Sequence, residues 1–288
     1  MIDEFYWFLK TGRPKRKLNV YQLRNELNKY IKDPVFVLST GRCGTKWFSD
    51  IFQKDRSLAV FHAPVPNLSV QGKYAWELLR DNHRDPSSPE FKLLAEIFIA
   101  GREQHLRYTA KAEKRYIETN NYITFFAPVL ADIFPDAKFL HIVRNPVGFI
   151  RSGIDRSYYL EGNVDDMKRI SGSSLPGNEL WNSYSQYSKI AWLWNETNTF
   201  IETFSKQIAP ERFKSFVFNL KEPDPVVEVM DFLNINVSRK TIQAQLGKKK
   251  NSQERRISKP YDQWETDDQQ HVKSIVSDTA DRYHFKIQ

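Results

Sequence analysis

The chain has 288 residues, of which 40% are hydrophobic and 27% are charged. These values are ordinary for a globular protein and exclude a disordered or fibrous one. The length suits one large α/β domain or two small ones, and we expect a single domain over residues 1–288. The one cysteine, Cys43, excludes an internal disulfide and a multi-cysteine metal site.

Positive charge is unevenly distributed. There are 43 lysines and arginines against 35 acidic residues, a formal net charge of +8, and the excess is concentrated in residues 10–24 and 239–259. Such clusters favour anionic ligands, most often phosphates, although a solvated basic face explains each cluster equally well. No apolar run approaches the roughly 20 residues that span a bilayer. We therefore expect a soluble, cytoplasmic protein without a stable membrane anchor.

Helical and strand patterns alternate along the chain. In chain order they predict a helix over 20–31, a strand over 35–38, a helix over 45–54, a strand over 58–61, helices over 74–82 and 90–114, a short strand over 116–118, a helix over 123–134, a strand over 138–143, a helix over 146–159, a long helix over 181–204, a strand over 213–218, and helices over 225–233 and 267–283. This alternation predicts an α/β fold, with a parallel sheet flanked by helices. Ligands of such sheets bind beyond the carboxyl ends of the strands.

The first predicted strand is followed by Thr-Gly-Arg-Cys-Gly-Thr-Lys-Trp and then by a helix. Gly41 and Gly44 let the backbone approach an anion closely, and the helix presents free N–H groups. Thr45 adds a hydroxyl donor, while Arg42 and Lys46 add positive charge. The segment predicts a phosphate-binding loop, with an ordinary strand-to-helix turn capped by Thr45 as the alternative.

This loop differs from the Walker A motif of nucleoside triphosphatases. The residue after Lys46 is Trp47, where that motif needs Ser or Thr. The predicted strand over 138–143 ends in Arg144, where a magnesium-binding Asp would be expected. Because an arginine binds phosphate directly and repels a metal ion, this pattern disfavours magnesium-assisted ATP chemistry.

A second motif begins at Arg144. Ser152 lies eight residues further on, about two turns into the next predicted helix. The guanidinium and the hydroxyl can converge on one phosphate. Taken alone, Ser152 also fits a plain serine on a helix surface.

Together the two motifs resemble those of sulfotransferases that use 3′-phosphoadenosine 5′-phosphosulfate (PAPS), with bacterial members among the similar proteins. The run Phe-Pro-Asp-Ala-Lys-Phe before His-Ile-Val-Arg-Asn-Pro is similar to that family as well. The resemblance implies a sulfotransferase-type fold with a P-loop-like phosphate-binding turn. It also implies that PAPS contacts nine residues: Gly41, Arg42, Cys43, Gly44, Thr45, Lys46, Trp47, Arg144 and Ser152.

This sequence departs from the family pattern at three positions. Cys43 replaces the usual Ser, and Lys46 replaces the second Thr of the loop. Similar bacterial proteins often read His-Glu-Pro after the second strand, whereas Ala63 follows His62 here. That carboxylate is therefore missing, and an inactive nucleotide-binding protein is one alternative.

The resemblance leaves two candidates for the general base. His62 ends the second predicted strand, about where the tyrosylprotein branch places its base. Glu118 ends another predicted strand, in the region where the cytosolic branch keeps its catalytic His. We favour His62, because a neutral imidazole suits proton removal near pH 7. His141 lies inside a strand and is predicted to be a core residue.

The implied activity is transfer of a sulfuryl group from PAPS to a hydroxyl or amine, with Arg42 stabilising charge on the leaving phosphate oxygen and no metal required. We expect a small-molecule or saccharide acceptor, no nucleic acid, and an acceptor pocket built by residues 64–115. A P-loop small-molecule kinase is a further alternative. The sequence leaves open whether Lys248, Lys249, Lys250 or Lys259 contacts the cofactor.

Overall fold

The computed structural model describes residues 27–80, 85–175, 179–246 and 257–287. Five strands form one parallel sheet in the order β2-β3-β1-β4-β5. The strands are β1 (Val35–Leu38), β2 (Leu58–Phe61), β3 (Arg115–Glu118), β4 (Lys138–Val143) and β5 (Phe213–Val217). The predicted α/β fold with a parallel sheet is confirmed.

Helices occupy most of the connections. They are α1 (Thr45–Phe52), α2 (Ser69–Leu79), α3 (Pro89–Lys111), α4 (Ala127–Ile133), α5 (Pro146–Ile154), α6 (Glu179–Ser183), α7 (Gln186–Ser205), α8 (Asp224–Leu233), α9 (Arg239–Gln245) and α10 (Thr266–Arg282). Of the helix predicted over 20–31, only the end lies among the described residues, where 27–30 are helical. No helix in the described ranges combines the length and apolarity needed to cross a bilayer.

Each face of the sheet is covered by its own hydrophobic core. Side chains alternate along β1, so Phe36 and Leu38 pack on one face while Val35 and Val37 pack on the other. All four are fully buried, as expected for a strand that is apolar throughout.

The strand order determines where a ligand can bind. From the central strand β1 the chain moves to β2 and β3 on one side, and later to β4 and β5 on the other. The connections that leave β1 and β4 therefore diverge at the carboxyl edge of the sheet. Such a divergence creates a crevice, which is the usual binding position in this architecture.

Several predicted helices differ from the observed elements. α2 begins at Ser69 instead of 74, α5 ends at Ile154 instead of 159, and α9 was not predicted. The helix predicted over 181–204 is divided into α6 and α7, because the Ser185 side chain accepts the Ser188 N–H and begins a new helix. The helix predicted over 123–134 starts as a 3-10 helix, Asn121–Phe126. The Thr124 hydroxyl there bonds both the N–H and the carbonyl of Ser39, each at 3.0 Å, and ties this turn to the end of β1.

Candidate active site

The loop between β1 and α1 has the backbone shape of an anion-binding turn. Gly41, Arg42 and Gly44 have φ values of 76°, 57° and 91°, and successive amides in such conformations form a concave surface of N–H groups. Gly44 precedes α1, whose first turn has no side-chain cap. The N–H groups at the start of α1 therefore remain suited to a bound anion.

The second motif lies directly beside this loop. Arg144 follows β4, and its Nη1 donates to the Arg42 carbonyl at 2.8 Å. The Asn145 side chain caps α5 by accepting the Val147 N–H at 3.0 Å. A Cβ on Gly148 would lie only 3.1 Å from Arg144 Nε, so glycine leaves room for the guanidinium.

The structure brings Arg42 and Ser152 together, with 3.4 Å between Nε and Oγ. Burial lowers the pKa of Arg42, and the positive charges of Arg156 and Arg144 lower it further. Three guanidinium groups thus share a small region, and a bound polyanion would relieve their repulsion. Arg156 was not identified from the sequence. It lies two residues past the end of α5, and the signal that could have identified it is its place four residues after Ser152 within the helix predicted over 146–159.

Three other residues of the predicted motif have different surroundings. Burial raises the pKa of the Cys43 thiol to about 11, so it remains protonated near pH 7. Lys46 Nζ lies 2.7 Å from Asp50 Oδ1, one turn along α1. Trp47 is buried, and its Nε1 donates to the Gln245 carbonyl at 3.1 Å.

His62 follows β2, and its tautomer is set by its neighbours. Nδ1 lies 2.9 Å from both the carbonyl oxygen and the hydroxyl oxygen of Thr119. Because a carbonyl can only accept, Nδ1 carries the proton and Nε2 has the lone pair. Burial lowers the pKa of His62, and the nearby Lys46 ammonium lowers it further. The imidazole is therefore neutral near pH 7 and can accept a proton at Nε2.

Glu118 occupies a different environment at the end of β3. It is fully buried, and both of its oxygens pair with Arg102, at 2.9 and 2.7 Å. The Tyr116 hydroxyl and the Asn120 amide donate to it as well, at 2.7 and 3.0 Å. Four donors thus surround a carboxylate that has no exposed surface. Its partner Arg102 comes from α3 and was not identified from the sequence.

A cleft opens after the end of β1, beside the loop between β1 and α1. Its lining includes Ser39 and Thr40, which follow β1, as well as Lys73 of α2 and Tyr122 of the 3-10 helix. Lys168, Arg169 and Tyr158 also belong to its wall, and the Arg169 guanidinium lies 3.6 Å from the centre of the Tyr158 ring. Of the expected acceptor region 64–115, only Ser69, Gly72 and Lys73 contribute.

The C-terminal segment is attached next to the second motif. Asp155, three residues after Ser152, accepts the N–H groups of Ile257 and Ser258 at 3.0 and 2.8 Å. Lys259 follows and is exposed. The other lysines considered from the sequence, 248–250, lie outside the described residues. Among the side chains that the structure describes, no group of three or more His, Cys, Asp or Glu could hold a metal ion.

Comparison with known proteins supports the resemblance drawn from the motifs. Residues 34–159, which contain both motifs, match the Sulfotransferase family. No curated protein matches the chain. The family resemblance is thereby confirmed over this segment, and it supports a sulfotransferase activity.

Solved structures share the fold. The chain is similar to the sulfotransferase domain from the curacin biosynthetic pathway, with 15% identity, a TM-score of 0.51, and coverage of 90% of this chain and 99% of that one. It is also similar to sulfotransferase STF9 from Mycobacterium avium, with 14% identity, a TM-score of 0.50, and coverage of 94% and 83%. At these identities the likeness shows the fold.

Proposed function

We propose that this protein transfers a sulfuryl group from PAPS to a hydroxyl or amine of a small-molecule or saccharide acceptor. The observation that carries the proposal is the convergence of Arg42, Arg144 and Ser152 beside an uncapped helix start. These residues come from two separate strand-to-helix connections. A ligand with two anionic groups, which PAPS has and 5′-AMP lacks, could engage both connections.

Different residues would bind the two anionic groups of PAPS. The loop amides and Arg42 would hold the 5′-phosphosulfate, and Arg144 with Ser152 would hold the 3′-phosphate. When bound, PAPS supplies the sulfuryl group: its sulfur–oxygen bond to phosphate breaks as a bond from sulfur to the acceptor oxygen or nitrogen forms. His62 Nε2 would take the acceptor proton, and Arg42 would stabilise the charge that grows on the leaving phosphate.

The environments of the two candidate bases favour His62. Its Nε2 bears a lone pair and belongs to a half-buried ring, whereas Glu118 is enclosed by four donors. A general base must reach the acceptor proton directly or through one water. We therefore assign base chemistry to His62 and a different role to Glu118.

We place the acceptor in the cleft beside the loop. Lys73, Lys168 and Arg169 line it, and each is paired with a carboxylate just outside the lining, on Glu77, Asp165 and Asp166 respectively. The cleft therefore offers polar groups to an acceptor without a large excess of positive charge.

Calorimetry tests the cofactor assignment. We expect 3′,5′-adenosine bisphosphate to bind without added metal and more tightly than 5′-AMP. Arg144→Ala should weaken bisphosphate binding by about 1.5–3 kcal/mol, because a charge-assisted phosphate contact is lost. Arg56→Ala, an exposed arginine before β2 at the opposite edge of the sheet, is the control. Equal affinities for 5′-AMP and the bisphosphate would refute PAPS specificity.

Two further measurements separate the alternatives. A magnesium-dependent preference for ATP over the bisphosphate would indicate a kinase. Bisphosphate binding without turnover, across alcohol, phenol, amine and sugar acceptors, would indicate the inactive binding protein that Ala63 suggests. If any acceptor is sulfated, and if His62→Gln lowers that sulfation, the proposed activity is supported.

A further inference from the structure

Arg102 of α3 and Glu118 of β3 form a fully buried ion pair close to the segment that contains His62. Arg102 and Glu118 are both 0% exposed, and burying two charges carries a large desolvation cost. Burial tends to lower the pKa of Arg102, but the Glu118 charge outweighs it and the pKa is raised. A pair of hydrophobic residues would fill this space at a lower desolvation cost. The contacts of the pair show what it holds in place.

The pair reaches the segment that follows His62. Arg102 Nη1 donates to the Pro66 carbonyl at 2.5 Å, in addition to its two bonds with Glu118. Asn120 Nδ2, which donates to Glu118, also lies 3.0 Å from the Asn67 carbonyl. Two backbone carbonyls in consecutive residues of the segment thus depend on the same buried cluster. The segment has no hydrogen-bonded strand or helix of its own between Phe61 and Ser69.

The cluster is also joined to the other side of His62. Thr119, directly after Glu118, donates its N–H to the Phe61 carbonyl at 2.9 Å. Its carbonyl and hydroxyl receive the His62 Nδ1 proton. The backbone is therefore held on both sides of His62. Thr119 binds the carbonyl of Phe61, the residue before His62, whereas Arg102 and Asn120 bind the carbonyls of Pro66 and Asn67, which follow it.

We propose that the Arg102–Glu118 pair is a positioning device for His62, which fixes the 62–67 segment and thereby the tautomer that keeps the Nε2 lone pair available. Arg102 and Glu118 are positioning residues, and neither touches the reacting atoms. Thr119 transmits the placement through its carbonyl. The catalytic consequence rests on the proposed function, whereas the tautomer of His62 does not.

The test compares three variants. Arg102→Lys keeps a positive charge opposite Glu118, but one ammonium cannot reproduce the planar fork that reaches both Glu118 and Pro66. Glu118→Gln keeps the shape and removes the charge. Tyr116→Phe is the matched control, because it removes a buried bond to Glu118 at 2.7 Å without touching the segment. The charged groups near His62, Lys46 and Asp50 of α1, are unchanged in all three.

Nitrogen NMR of the imidazoles gives the first readout, with His62→Gln identifying the His62 signals. The wild-type protein should show His62 protonated at Nδ1 only. Arg102→Lys and Glu118→Gln should show a mixture of both tautomers, and Tyr116→Phe should match the wild type. A wild-type His62 protonated at Nε2 overturns the proposal whether or not any variant folds.

Kinetics give the second readout. Misplacing the base should lower kcat on the order of 10²-fold in Arg102→Lys, while the affinity for 3′,5′-adenosine bisphosphate is retained. A variant with mixed tautomers and unchanged kcat overturns the positioning role. If the wild type transfers no sulfuryl group but His62 responds as expected in NMR, the placement of His62 stands and the proposed activity fails.

Discussion

In the proposed reaction, Arg42 would respond to charge that develops on the leaving phosphate. Its backbone lies in the left-handed region at φ 57°, which is costly for a residue with a Cβ. Such strain persists where the surroundings fix the conformation, here the Arg144 guanidinium bonded to the Arg42 carbonyl. In this conformation the Arg42 side chain lies near Ser152, with 3.4 Å between Nε and Oγ.

Replacing Arg42 should separate binding from chemistry. Arg42→Ala is expected to lower kcat by on the order of 10²–10³, as removal of a preorganised donor at a developing anion does elsewhere. Affinity for 3′,5′-adenosine bisphosphate should fall less, because Arg144 and Ser152 remain. Arg42→Lys is the control that keeps the charge. A large loss of affinity with kcat unchanged would make Arg42 a ground-state anchor only.

The environment of His62 predicts an acid limb in the pH profile. Burial and Lys46 both lower its pKa from the ordinary 6.5, so kcat/KM should rise with pH through a value below 6.5. Lys46→Met should move that limb upward, since it removes a repelling charge and frees Asp50 to favour the imidazolium. Lys54→Met replaces an exposed lysine two residues past the end of α1 and should leave the limb in place.

The same residue can be tested by substitution. His62→Gln should lower turnover of an alcohol or sugar acceptor by roughly 10²–10⁴, with bisphosphate binding retained. An alcohol is the right acceptor, because a phenol ionises more readily and needs less help. Turnover that is unaffected by His62→Gln would contradict its role as the base.

At the scale of elements, the loop depends on its contact with the segment after β5. A Cβ on Gly44 would lie 2.0 Å from the Phe218 ring, and the φ of 91° is already unfavourable for other residues. Gly44→Ala should therefore displace the loop and weaken bisphosphate binding at least tenfold in calorimetry. Gly162→Ala is a matched control, since its φ is 79° and no atom lies within 4 Å of the added Cβ.

The double variant Gly44→Ala/Phe218→Ala isolates the steric part of this effect. Removing the ring relieves the clash but not the backbone strain, so binding should recover in part. If Gly44→Ala binds the bisphosphate as the wild type does, the loop does not require this close approach.

Sequence patterns identified elements whose signals are local. The strands over 35–38, 58–61 and 138–143 have the predicted bounds, because each is a short, nearly continuous apolar run before a turn. The break at Ser185 was missed, since the aromatic stripe continues across it. Arg102 was missed because its partner lies on another element. The loop and Arg144 could be predicted because each belongs to a motif of neighbouring residues in the sequence.

At the scale of the whole molecule, the two cores hold the site by fixing the sheet between them. β4 carries Arg144 at its end, and it contributes to both cores with alternate residues. His141 is the one polar side chain within that strand besides Lys138 at its start. It is fully buried, and its Nε2 lies 2.9 Å from Asn198 Oδ1 of α7. Because an amide oxygen accepts, the neutral ring donates there.

This buried histidine should make the free energy of unfolding depend on pH. Burial lowers the pKa of His141 to about 4, against an ordinary 6.5 in the unfolded chain. The unfolded state therefore takes up a proton first, and stability present above pH 6.5 is lost as pH falls towards 4. The loss amounts to about 3 kcal/mol, from 1.36 kcal/mol per pKa unit. Urea unfolding at pH 7 and pH 4.5 measures most of it.

Comparison with His141→Gln isolates this contribution from those of the carboxylates, which titrate in both proteins. Gln offers an N–H to Asn198 but has no proton to gain, so its stability should fall less steeply over the same interval. His284→Gln, which replaces an exposed histidine, should keep the wild-type slope. Equal slopes for all three proteins would mean that His141 is accessible to protons in the folded state. β4 would then be less tightly held between the two cores than its burial indicates.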